Sequence, residues 1–329
     1  MIESIEFKNF KVLKDAKLPL GPFTLIVGAN GSGKSTALQG LIALRDPKRL
    51  PYAEIASVGT DAPVQMLAHL GGQFEGDSIN CIWKTTGGEI ERSLSVGVGS
   101  HKAKLNSFLS RVRVFSLNPS TILKPAVLHP QTDLSEDGGG LAVVLDQLRD
   151  NSPERFEALN REFAALFPEF DRILFVTHSE GTRSIKLRTR IGHYVIPALN
   201  LSHGTLVGLA ILTLAYLPEP PPVIGIEEPE RAIHPRLLRQ LRDAFYRLSH
   251  PDCFDESRQP VQVIATTQSP YFLDQYTDHP EEIVVAEKVG LEAKFHRLMD
   301  RPDMEEILGD VPLGDAWYSG VLGGVPSRT

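Results

Sequence analysis

An α/β fold is what this sequence predicts, and three observations predict it. Strand-like and helix-like runs alternate along the chain. The apolar run FTLIV (23–27) leads into the glycine-rich stretch GANGSGKST (28–36), and helical spacing follows. A second apolar run, VIGIEE (223–228), ends in paired carboxylates. Unbroken apolar runs of this kind are the mark of strands covered on both faces, as in a parallel sheet.

Taken in order, IESIEF (2–7) alternates apolar and polar residues like a half-buried strand. FTLIV is the first fully covered strand, and KSTALQGLIAL (34–44) is the helix after the turn. SINCIWK (78–84), TTGG (85–88) and EIERSLSV (89–96) read as a hairpin, and RVRVFSL (111–117) as another short strand. The period then changes to that of two amphipathic helices, DGGGLAVVLDQLRD (137–150) and SPERFEALNREFAALF (152–167). Ser152 and Pro153 suit the N-cap and first position of the second. Strand patterns return at RILFVTH (172–178), SIKLRTR (184–190) and HYVIPAL (193–199). A wholly apolar helix, the turn PEPPP (218–222), the strand VIGIEE and a helix from Pro235 follow. SHPDCFDESRQP (249–260) reads as a surface loop, VQVIATT (261–267) as a strand, and EEIVVAE (281–287) and AKFHRLM (293–299) close the pattern.

Composition narrows the function. With 42% hydrophobic and 23% charged residues, the 329-residue chain has the balance of a globular protein with a core. Its net charge of −7 argues against bulk attraction to nucleic acid and leaves only a local basic face. Cys81 and Cys253 stand far apart with no CxxC near either, so neither a disulfide framework nor a zinc site is expected. A reducing cytoplasm is the expected compartment. The N-terminal MIESIEFKNFKVLK carries charges where a signal peptide needs an apolar core. LVGLAILTLAYL (206–217) is too short to cross a bilayer, and no membrane insertion is expected.

GANGSGKS fits the pattern G-x-x-x-x-G-K-[ST] between a strand and a helix. Gly28, Gly31 and Gly33 let the backbone curl so that successive N–H groups face phosphate oxygens. The helix beginning near Lys34 adds its positive end. Lys34 reaches the β- and γ-phosphates, and the Ser35 hydroxyl binds Mg²⁺. Gly28, Asn30, Gly31, Ser32, Gly33, Lys34, Ser35 and Thr36 thus form the expected ATP-binding set.

Three further stretches are weak singly. In VIGIEEPE (223–230), Glu227 is placed to hold Mg²⁺ and Glu228 to activate water as general base. A solvated acidic strand end explains the same pair equally well. LSHGT (201–205) offers small residues at a helix N-terminus, a second anion site or an ordinary cap. VIATTQSPYFLD (263–274) is a strand, a polar turn with Gln268 and a proline-started helix.

Together and in this order, the four motifs resemble those of the ABC-type ATPases of the SMC/RecF/OLD group, in particular the small stand-alone bacterial AAA-labelled ATPases. IEFKNFKVLKDAKLPLGPFTLIVGANGSGKST looks like the start of that group, LSHGT like its signature, IEEPERAIHP like Walker B with the D-loop, and ATTQSPYFLD like the switch segment. LGDAWYSGVLGGVP (313–326) resembles the end of the small members. The resemblance implies one ABC-type head over 1–329. It would comprise a β/P-loop lobe at about 1–135 and 206–300, an inserted helical and strand lobe at about 136–205, and a tail over 301–329. It implies a mixed central sheet, an antiparallel β lobe and a helical lobe carrying the signature. It also implies a homodimer in which Ser202, His203, Gly204 and Thr205 of one subunit close on the ATP of the other. Glu228 and Gln268 would be catalytic, and Ser35 and Glu227 would hold the metal. Glu227 stands where aspartate is more usual, and Gln268 where histidine is common. Glutamine can donate to the γ-phosphate but cannot take up a proton.

About 165 residues separate Lys34 from Leu201, too few for long coiled-coil arms at about 1.5 Å per residue. No acidic nuclease centre is read near the C-terminus. The expected role is therefore an ATP-driven head that gates a partner protein, a nuclease or toxin, or acts on DNA or RNA, in DNA repair or antiviral defence. The alternative is the ATPase subunit of a membrane transporter, against which stand the long gap and the sequence ERAIHP in place of a transporter-type D-loop. A small-molecule kinase would have no use for the signature. Lys186, Arg188 and Arg190 would share one strand face and could contact phosphates, or simply be a solvated face.

Overall fold

The computed structural model describes residues 1–84, 90–95, 102–129, 132–179, 181–303, 307 and 311–323. The expected hairpin turn at 85–88 and much of the expected tail lie outside them. The chain opens with strands β1 (Ile2–Phe10), β2 (Leu13–Pro19) and β3 (Phe23–Val27), then helices α1 (Lys34–Arg45) and α2 (Tyr52–Ile55). Next come β4 (Val64–Leu70), β5 (Ser78–Trp83), β6 (Ile90–Ser95), α3 (Lys102–Ser110), β7 (Arg113–Phe115), α4 (Pro119–Ile122) and β8 (Ala126–Val127). Helices α5 (Leu141–Asn151) and α6 (Pro153–Leu166) precede β9 (Phe170–Thr177), β10 (Thr182–Thr189) and β11 (Val195–Pro197). The remainder is α7 (His203–Tyr216), β12 (Val223–Glu227), α8 (Leu238–Ser249), β13 (Gln262–Thr267), α9 (Pro270–Leu273), β14 (Ile283–Val289) and β15 (Glu292–Arg297), with a helix at Leu313–Tyr318.

Two compact units divide the chain. The first comprises Met1–Val114, Pro221–Glu228 and Ser249–Thr329. It holds a six-stranded mixed sheet ordered β15-β14-β3-β13-β12-β7 and an antiparallel sheet ordered β2-β1-β4-β5-β6. β3 is buried at all five positions, as its apolar run requires, and pairs in parallel with β13 and β14. α1 touches both sheets. A Cβ on Gly40 would meet the Phe7 ring of β1 at 2.9 Å, and one on Gly225 of β12 would meet Leu41 at 3.0 Å and Leu38 at 3.2 Å. Glycine at both positions lets the helix lie close to the sheets, which fixes where its N-terminus points.

The second unit comprises Phe115–Pro220 and Pro229–Leu248. Here β10 pairs antiparallel with β8, β9 and β11. α7 is buried at every position but His203, which accounts for its all-round apolar sequence. Asn160 ties α6 to β9. Its Nδ2 donates to Asp171 O at 3.3 Å, and its Oδ1 accepts from Ile173 N at 2.8 Å. Ser152 is the N-cap of α6 and Pro153 its first residue, as the sequence predicts, although no side-chain cap bond forms.

The lobes fall differently from the sequence expectation. The inserted unit starts at Phe115 rather than near 136, and it takes in α7 and most of α8 as well. The cause is packing. Arg247 of α8 reaches Glu162 of α6 at 3.4 Å and stacks over the ring of Tyr216 of α7 at 4.9 Å. Strands β2 and β4 and helix α3 go unread in the sequence.

Candidate active site

The glycine-rich turn joins β3 to α1. Gly31 (φ 77°) and Gly33 (φ 97°) take left-handed backbone, where glycine alone is unstrained. Gly28 serves space instead, since a Cβ there would sit 2.5 Å from both Ala286 O and Ser32 Oγ. Gly33 is the N-cap of α1 and supplies no side chain to cap its first-turn N–H groups. Such groups at a helix N-terminus suit an anion. Lys34 is buried, and its Nζ donates to Gly28 O at 2.7 Å and Ala29 O at 3.0 Å. The buried Ser32 Oγ has no partner among the described residues. A cationic head within the loop, an unpartnered hydroxyl and open backbone at Gly31 fit a polyphosphate.

The remaining expected catalytic and metal residues converge on the same strand ends. In register, Ile26 of β3 lies beside Thr266 of β13, and Thr266 beside Glu227 of β12. The turn after Val27, the acids at 227–228 and Gln268 after Thr267 therefore leave the sheet side by side at the carboxyl ends of parallel strands. That is where ligands sit in open α/β sheets. Ser35 Oγ donates to Glu227 Oε1, so glutamate reaches the hydroxyl even where aspartate is usual. These are hard oxygen donors of the kind Mg²⁺ takes together with substrate phosphates. Among the described residues, no cluster of three or more His, Cys, Asp or Glu could hold a metal alone.

Glu228 breaks a local rule. Its φ of 41° is left-handed, although it is not glycine and precedes Pro229. Its N–H donates to Thr266 O at 3.2 Å and to Thr266 Oγ1 at 3.3 Å. Backbone of this kind costs about 1–3 kcal/mol and persists only where its surroundings enforce it. Thr266 turns the chain sharply here, so Glu228 leaves the strand in a different direction from Glu227. Gln268 is exposed one residue past β13.

The signature lies in the second unit. Ser202 caps α7, its Oγ accepting from Thr205 N at 3.1 Å and meeting Thr205 Oγ1 at 2.6 Å. Ser202 and His203 are exposed, and Gly204 and Thr205 are buried. Gly204 is required by contact. A Cβ there would lie 2.4 Å from the carbonyl oxygen of Ala232, itself left-handed at φ 67°. Gly204→Ala is expected to destabilise the protein by about 1–3 kcal/mol through overpacking against backbone. Denaturant unfolding measures this, and an unchanged midpoint would show that the Ala232 loop yields freely.

Of the three expected cations, Arg188 and Arg190 are engaged within the chain. Lys186 and Arg188 do lie opposite the buried Ile185 and Leu187. Opposite Arg188 and Thr189 the pairing skips Asp171 of β9, and Arg190 falls one residue beyond the end of β10. Arg190 donates to the carbonyls of Pro168 at 2.8 Å and Ala164 at 3.1 Å. Arg188 grips Asp171 with two bonds of 2.8 and 3.0 Å, which hold that carboxyl below its usual pKa. Among the described residues, only Lys186 of the three makes no side-chain hydrogen bond or ion pair.

A family model described as "AAA domain, putative AbiEii toxin, Type IV TA system" matches residues 23–274. The OLD nuclease of Thermus scotoductus is 25% identical, over 83% of this chain and 60% of the relative. The chain thus spans about three-fifths of that relative's length. Among solved structures, the Smc head bound to the C-winged helix domain of ScpA superposes with a TM-score of 0.65 at 17% identity, covering 90% of this chain and 96% of that one. The Smc head with a coiled coil and joint from Pyrococcus yayanosii gives 0.59 at 11% identity, covering 94% and 99%. The fold is the α/β ABC-type head with a mixed central sheet. No helix among the described residues is long and apolar enough to cross a membrane. Matched by the family model over more than half of its length, the chain belongs to this AAA domain family.

Proposed function

We propose that this protein hydrolyses ATP at the carboxyl ends of β3, β12 and β13, in a head-to-head dimer whose closing and opening act on a partner protein or on nucleic acid. The convergence of Lys34, Ser35, Glu227, Glu228 and Gln268 on three adjacent parallel strand ends carries the reading. The loop N–H groups and Lys34 bind the β- and γ-phosphates. Ser35 and Glu227 would hold Mg²⁺, which would neutralise developing phosphate charge. Glu228 takes the proton of the attacking water, and Gln268 donates to the γ-phosphate and orients it. Ser202 and Gly204 close on the γ-phosphate of the second copy. The likeness to a nuclease supports a nucleic-acid setting, DNA repair or antiviral defence, and we place the protein in the cytoplasm with it. Arg188 and Arg190 are held internally, so a nucleic-acid contact on β10 would rest on Lys186 alone.

Calorimetry tests the base of the reading. ATP is expected to bind with one site per chain in Mg²⁺, and at least tenfold more weakly when Mg²⁺ is chelated, because the phosphate charge then lacks its counter-ion. Absence of ATP binding in the presence of Mg²⁺ would overturn it.

A further inference from the structure

The stretch LGDAWYSGVLG (313–323) has no part in the chemistry above, yet it is built into the first unit with care. Leu313, Ala316 and Leu322 are fully buried and Trp317 nearly so. A left-handed Gly320 (φ 87°) turns the chain back after the helix. Val321 N and Leu322 N then both donate to Ala316 O, at 3.0 and 3.3 Å. The helix bears on α9, and the contact closes at Gly314. Gly314 N donates to Asp274 Oδ1 at 2.7 Å. A Cβ on Gly314 would stand 2.5 Å from Pro270 O and 2.9 Å from both Asp274 carboxylate oxygens. One glycine therefore meets both the first residue of α9 and its C-cap.

The location gives this contact its meaning. α9 has four residues, too few to hold a helix by its own hydrogen bonds. Its inner side is fixed by fully buried Phe272, Leu273 and Tyr276, the last stacked on Phe23 at 5.0 Å. Its entry is fixed by Ser269, whose N–H donates to Thr267 Oγ1 at 2.9 Å and whose Oγ caps Phe272 N at 3.3 Å. Gln268 stands between these anchors, so its placement depends on where α9 is held.

We infer that residues 313–323 form a latch that positions Gln268 through α9, with Asp274 and Gly314 as the positioning pair. Asp274 touches no phosphate and acts only through the helix. The inference rests on the reading of Gln268 as the γ-phosphate contact, and the test separates the two.

Steady-state ATPase kinetics of the full chain are measured for Asp274→Ala, Asp274→Asn, Gln268→Ala and the double variant Gln268→Ala/Asp274→Ala. Asp274→Ala is expected to lower kcat by about ten- to a hundredfold, the cost of a small misplacement, with KM for ATP changed less than about twofold. Asp274→Asn keeps the acceptor and restores most of the rate. In the Gln268→Ala background, Asp274→Ala should cost nothing further, because the group it positions is gone. Gly314→Ala, which drives a methyl into Pro270 O, supplies a second perturbation should Asp274→Ala fold poorly. Equal losses with and without Gln268, or an unchanged kcat in Asp274→Ala, would overturn the latch and leave Gln268 in its role. An unimpaired Gln268→Ala would overturn the role of Gln268 and the latch with it.

Discussion

Glu228→Gln is expected to bind ATP like the parent and to turn it over about 10²–10⁴-fold more slowly, the usual contribution of a positioned general base. The amide has the shape of the carboxylate and keeps a carbonyl acceptor for water, but it cannot accept a proton in the transition state. On the proposed reading, binding rests on the loop, Lys34 and the Ser35–Glu227 contact, none of which the substitution touches. The backbone at 228 is set by Thr266 accepting from its N–H, a bond that glutamine keeps. The strained turn therefore survives, and any loss reports chemistry rather than folding. Single-turnover ATPase assays with parallel calorimetry check this. Turnover at the parental rate would move the base to another carboxylate, with Glu227 and Glu230 the first to substitute.

The same turn shows where the sequence is informative and where it falls silent. The parallel core is legible because FTLIV and the VIGI of β12 are apolar runs, a pattern that burial on both faces imposes. The glycine-rich turn is legible because its composition and its conformation have one cause. β4 alternates faithfully between buried and half-exposed positions, but among its five apolar residues only Val64 is β-branched. The left-handed Glu228 has no local signal at all, since glutamate before proline favours extended backbone. Only Thr266, 38 residues on, dictates it. Arg190 fails for a related reason. Three basic residues at period two read as one free face, yet the carbonyls of Pro168 and Ala164 that engage Arg190 come from the turn before β9 and from α6. The sequence also separates Lys34 from Ser202 without saying that they belong to different compact units.

That separation bears on the strongest test of the dimer. If Ser202 serves the ATP held by a second copy, Lys34→Ala and Ser202→Arg should each be inactive alone, the first lacking its phosphate clamp in both sites and the second obstructing both. In a mixed dimer, both defects fall in one composite site, and the other site keeps a native Lys34 and a native Ser202. Equimolar random reassortment makes about half of the dimers mixed, each with one good site of two, so roughly a quarter of parental activity should return when the sites fire independently. The cap bond from Ser202 Oγ to Thr205 N means that Ser202→Arg also costs about 0.5–2 kcal/mol of helix stability. Ser202→Asp controls for that, because aspartate keeps an N-cap acceptor while placing a negative charge where phosphate would come. Complementation by both variants, with mixed dimers confirmed by differently tagged subunits, is the expected result. Mixed dimers that stay inactive while each variant remains folded would mean that the sites are obligately coupled or that Ser202 does not act across the interface. Full ATPase activity of Ser202→Arg on its own would decide between these and remove the shared site altogether.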